Sequence, residues 1–165
     1  MHTYGTALDL VGTTVPDHLA ADAAVPLLTG PQAQGDLLVV PVNRPDTDEW
    51  RSVPPDGVQL VHGEATGNTH WLHCGFDSPG VTWCRPDRED PDHDPLVVAL
   101  LRVPDGQSAL LIHTDEHGAN GIGPGSYEIR RKRQLDAVSV RSRPVDDFVA
   151  VPQVRPRPRT TFVAD

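Results

Sequence analysis

Cysteine is scarce: Cys74 and Cys84 are the only two in 165 residues, too few for a disulfide scaffold. They flank a Pro79-Gly80 turn that would let them lie near each other on paired strands. The simplest reading is a pair of buried thiols acting as small hydrophobes. Lysine is scarcer still, since thirteen of the 14 basic residues are arginine, a bias of genomic composition. Against them stand 23 acidic residues, for a net charge of −9. That balance favours solubility and disfavours unspecific binding to a phosphate backbone. No apolar stretch approaches a transmembrane helix. The first residues, MHTYGTALDLVGTT, have neither the basic start nor the unbroken apolar core of a secretory signal, so a cytoplasmic location is expected. Also missing are a nucleophile elbow and a zinc-finger spacing. GANGIGPG lacks the lysine and the helix that would make it a phosphate loop.

What the chain does have is punctuation. Seventeen prolines and 14 glycines are scattered between short apolar runs, the pattern of many strands and turns. GDLLVVPV (35–42) reads as a buried strand. VQLVHGE (58–64), NTHWLHC (68–74) and VTWCR (81–85) follow, the last two as a hairpin around DSPG. LVVALLRV (96–103) and SALLIHTD (108–115) read as a second hairpin across PDGQ. GPGSYEIRRKRQ (123–134), VSVRS (138–142) and FVAVP (148–152) would complete the set. HLAADAAVPLL (18–28) offers a short helix cut by Pro26. Eight or nine strands at this spacing predict an all-β fold, a compact β-barrel or sandwich. An irregular N-terminal segment (1–34) would pack on a domain of residues 35–152, followed by a Pro/Arg-rich tail (153–165).

Five of the eight histidines fall in two windows, His62 to His73 and His113 to His117. Residues two apart on a strand share a face. Val58, Leu60, His62 and Glu64 therefore align, as do His70, Leu72 and Cys74, and likewise His113, Asp115 and His117. A face running from apolar residues to imidazole and carboxylate suggests a site at a barrel mouth. These groups can hold zinc, iron, manganese or nickel, or act as acid and base without metal, with His113 and Glu116 as candidates. His73 falls on the opposite face and is expected at the surface. The bland alternative is that the histidines only hydrogen-bond loops. The three tryptophans read as packing. In RRKR (130–133) alternation sends Arg130 and Lys132 one way and Arg131 and Arg133 the other, so it forms no single basic stripe.

The order GDLLVVPV, VHGEATGNTHWL, IHTDEHGANGIGPGSYEIRRKRQ resembles a family of small bacterial proteins of uncharacterised function. In that family a GE-x-TGH-x-H segment precedes an EH-x-x-I-x-LPPG-x-Y-x-V segment. The arrangement also resembles the cupin superfamily. The resemblance implies a cupin-like (double-stranded β-helix) barrel with His70, His117 and Glu64 as ligands of a divalent metal ion, and His62 and His113 as further candidates. Asn68 stands where the pattern has histidine.

Two functions are therefore carried forward. One is a cupin-like metal-binding barrel, enzyme or sensor, with His62, Glu64, His70 and His117 around the ion. The other is a non-enzymatic binding or oligomeric assembly module whose His/Glu cluster is structural. A small-molecule ligand and a homo-oligomer are the expected partners; nucleic acid and membrane are not.

Overall fold

Alternating burial sorts the apolar runs into two sheets. A computed structural model of the chain describes residues 2–43, 49–62, 69–75, 77–114 and 116–132. It contains one short helix, α1 (Tyr4–Asp9), and strands β1 (Leu27–Leu28), β2 (Gln32–Gln34), β3 (Leu37–Pro41), β4 (Arg51–Ser52), β5 (Val58–Val61), β6 (His70–His73), β7 (Thr82–Cys84), β8 (Val97–Val103), β9 (Ala109–His113), β10 (Ala119–Ile122) and β11 (Gly125–Arg131). The first sheet runs β1-β10-β9-β6-β5, the second β2-β3-β11-β8-β7-β4. All pairs are antiparallel except β1 with β10. The fold is thus all-β in two sheets, not a closed barrel.

The main core lies between the sheets. Leu60, Leu72, Ala109, Leu111 and Ile122 of the first sheet meet Leu37, Val39, Ala99, Leu101, Val103, Tyr127 and Ile129 of the second. A second cluster covers the outer face of the first sheet, where Ala7, Leu8 and Val25 pack on Leu110, Ile112 and Ala119. The central strand β9 is consequently buried on both faces along its whole length, which explains its unbroken apolar run. Each of its leucines or isoleucine contributes about 1.5–3 kcal/mol relative to an exposed position. Helix α1, part of this cover, starts at a capping box in which Thr3 and Thr6 each accept the other's backbone N–H.

Several expectations are corrected. The helix lies at Tyr4–Asp9, not within 18–28, where residues 27–28 instead form an edge strand. The two predicted hairpins do not exist. β6 and β7 belong to different sheets, as do β8 and β9, so the Pro79-Gly80 and Asp105-Gly106 turns carry the chain from one sheet to the other. Cys74, just after β6, and Cys84, at the end of β7, therefore lie on strands that do not pair with each other, and neither forms a disulfide. The strand β10, too glycine-rich and polar to stand out in sequence, is the hairpin partner of β9. The expected strands at 138–142 and 148–152 and the tail lie outside the described residues.

Candidate functional site

His70 lies on β6 beside Leu72, and His113 on β9 beside Leu111, so both imidazoles stand on the inner face of the first sheet. The register pairs them directly, His70 opposite His113. Both are 1% exposed. Their rings meet edge to face at 4.6 Å between centroids, and His117, exposed at the surface, lies 4.8 Å beyond His113. The three form a stack running from the core to solvent at one end of the sandwich.

The lid on this stack is the β2–β3 turn. Gln34 pairs with Leu37, leaving Gly35 and Asp36 as a two-residue hairpin loop with φ +53° at Gly35, a geometry that favours glycine at that position. A Cβ at Gly35 would sit 2.9 Å from both His70 Nε2 and His113 Cδ2. The absent side chain is thus what allows the backbone to close over the imidazoles. His70 Nε2 donates to the Gln34 carbonyl at 3.0 Å. The Gln34 side chain donates in turn to the carbonyls of His117 (3.1 Å) and Gly118 (3.0 Å). Asn120 Nδ2 adds a bond to the Ala33 carbonyl at 3.0 Å, so side chains join β2 of one sheet to β10 of the other. From outside, Lys132 Nζ donates to the Gly35 carbonyl.

These bonds fix the protonation pattern. Burial, reinforced by the neighbouring His113, pushes the His70 imidazole down to about 4, against the pull of the Gln34 carbonyl and Asp36. His70 is therefore neutral near pH 7, with its proton on Nε2. Its Nδ1 keeps a lone pair that is buried and has no hydrogen-bond partner among the described residues. His113 Nδ1 accepts the backbone N–H of Glu116 at 3.2 Å, so that lone pair is engaged. Glu116 meets His113 through its backbone, with its residue exposed to solvent.

The structure brings together His70, His113 and His117 and separates His62 from them. Val58 lies opposite Leu72 and Gln59 opposite Trp71, but Val61 lies opposite His70. Leu60 is thus an extra residue in β5, a β-bulge, and a one-residue slip reverses every side chain beyond it. His62 accordingly leaves the inner face; it is exposed, and its Nδ1 lies 2.9 Å from Gln59 Nε2. Glu64, Asn68 and Asp115 lie outside the described residues. Among those described, no group of three His, Cys, Asp or Glu is placed to hold a metal ion.

His73 is on the opposite face as expected but is buried, at 1% exposure, because the N-terminal segment and the Pro55–Gly57 turn cover that face. Its Nδ1 accepts the Gly75 N–H at 2.9 Å, its ring also bonds the Pro55 backbone, and burial lowers its pKa. Sequence reasoning also missed Arg85, which donates to the Gln59 carbonyl at 2.7 Å and the Leu60 carbonyl at 3.3 Å. These acceptors sit at the bulge, so Arg85 ties β5 at the edge of the first sheet to the end of β7 in the second. The signal was an arginine two residues after a strand tryptophan. Arg130 of the RRKR run is bound to Asp94 and Glu128, which agrees with a solvated strand face.

No helix among the described residues is long and apolar enough to cross a membrane. No curated protein and no solved structure matches the chain. A domain of unknown function, DUF8820, matches residues 33–132, from β2 through the end of β11 and including the whole imidazole stack, and the chain belongs to that family.

Proposed function

We propose that the chain is a non-enzymatic binding module in which the imidazole stack is a structural plug closing one end of the sandwich. One observation carries this reading: the two interior imidazoles each spend a ring nitrogen on backbone, His70 Nε2 on the Gln34 carbonyl and His113 Nδ1 on the Glu116 N–H. Buried rings hydrogen-bonded to backbone at a sheet-to-sheet seam serve packing and alignment. The winding supports a distant kinship with cupin-like sandwiches. β7 with β8, β6 with β9 and β3 with β11 pair as nested parts of one folded hairpin, as jelly rolls do. The β5–β6 and β9–β10 hairpins depart from that scheme.

The rival reading is a divalent metal site. In its favour stands the bare Nδ1 of His70. The described donors do not fit it, because His62 is turned outward by the bulge and the Nδ1 lone pair of His113 is already engaged. The discriminating experiment is metal analysis of protein purified without an affinity tag, with melting curves in added zinc, manganese, iron or nickel. The binding-module reading expects no stoichiometric metal and an unmoved Tm. A stoichiometric ion that disappears in His70→Gln, a variant that retains a donor toward the Gln34 carbonyl, would overturn it.

A further inference from the structure

At the opposite seam, below Arg85, the surface opens into a hollow of about 440 Å³ lined by Glu49, Arg51, Trp83, Arg85, Asp87 and Arg88, with Cys84 and Pro86. A second hollow of about 360 Å³ shares Arg88 and adds Arg131 and His93. In a chain of net charge −9, this concentration of guanidinium groups is unusual. Among the described residues the ion pairs run from Arg130 to Asp94 and Glu128, and neither involves this group.

Arg85 is held rigidly for a surface arginine. Its guanidinium donates to two main-chain carbonyls at the bulge and lies over the Trp83 ring, 5.6 Å from its centroid, a favourable cation–π placement. The bonds to Gln59 and Leu60 use only part of its five-donor fork. Burial and the nearby charge of Arg88 both lower its pKa, so a dianion placed between the two would relieve a standing repulsion. The carboxylates are fewer than the guanidiniums, and Asp87 spends one oxygen on the Glu89 N–H at 2.9 Å.

We propose that this hollow is a binding site for a small phosphorylated molecule bearing hydroxyl or N–H donors, a sugar or nucleoside phosphate, with Arg51, Arg85 and Arg88 around the phosphate. Guanidinium forks match phosphate oxygens two at a time. The carboxylates of Glu49 and Asp87 accept from the ligand's donors and disfavour a bare polyanion such as nucleic acid. The volume lies within the range of small-molecule pockets and exceeds what a lone phosphate fills. The site stands apart from the imidazole plug, and neither outcome of the metal analysis bears on it.

The test is calorimetric titration and thermal shift of the full chain with adenosine monophosphate and glucose phosphate, against adenosine, glucose and inorganic phosphate. Binding of at least one phosphorylated probe is expected, weaker by roughly tenfold or more for inorganic phosphate and absent for the unphosphorylated pair. Arg88→Gln, at an exposed position with no hydrogen bond among the described residues, should weaken the bound probe by roughly tenfold or more while leaving the Tm of the free protein in place. His70→Gln should leave the affinity unchanged. Failure of both phosphorylated probes at millimolar concentration overturns the proposal. So does binding that is indifferent to Arg88→Gln, or equal binding of inorganic phosphate.

Discussion

The two seams of the sandwich are closed by opposite chemistry. At one, neutral donors and acceptors bridge β2 to the first sheet: His70, Gln34 and Asn120, with buried imidazoles beneath a glycine turn. At the other, a single charged guanidinium, Arg85, clasps two carbonyls of the edge strand β5. An edge strand offers unpaired backbone groups that a protein must cover, and both devices do so. They differ in what they leave over. The neutral seam spends most of its polar groups on the protein itself, His70 Nδ1 excepted, whereas the charged seam keeps spare N–H donors facing a hollow. A seam closed mainly on its own backbone is structure; a seam with donors to spare can bind.

The sharpest way to break this contrast is Gly35→Ala. The new Cβ would adopt a left-handed φ and collide with both imidazoles, so a loss of about 2–3 kcal/mol is expected in urea unfolding. Gln34→Ala removes the side-chain bonds to His117 and Gly118 at a buried position and should cost about 1–3 kcal/mol by the same measurement. Arg85→Ala should cost less, about 1 kcal/mol, because the residue lies at the surface with its guanidinium only partly covered and its carbonyl acceptors can turn to water. If Arg85→Ala proves the more damaging, the charged seam is the mechanical one and the contrast is reversed.

Acidification should separate the seams further. The His70 pKa is depressed in the folded state, from 6.5 to about 4, so between those values the unfolded chain binds the extra proton. The contribution of His70 is fully present above about pH 6.5 and is lost as pH falls toward 4. His73, lowered by burial, acts in the same direction. Melting curves across this window should show falling stability in the native protein and a shallower fall in His70→Gln. An identical pH slope in both proteins would remove His70 as its source. The smallest effect belongs to His62→Ala, expected within about 0.5 kcal/mol of the native protein because its ring is exposed.

Much of the plug could be read from alternation alone. His70 with Leu72 and His113 beside Leu111 share the inner face, as period-two reasoning predicts. His62 escaped that reasoning because the bulge at Leu60 carries no signature in an apolar run such as VQLV. The hairpins were misassigned for a related reason: a Pro-Gly or Asp-Gly turn shows where the chain reverses, not whether it re-enters the same sheet. That choice depends on which faces need covering, a property of the assembled sandwich. β10 was hidden because a strand with glycine and asparagine relies on its neighbours' apolar surface, not its own.

The bulge also couples the main core to the charged seam. Deleting Leu60 would leave Val61 opposite His70 and His62 on the outer face, so the imidazole pair would gain no neighbour. It would remove a buried apolar side chain from between the sheets and one of the two carbonyls that Arg85 holds. A single-residue change in length, with no change in residue type, would thereby loosen one seam and spare the other.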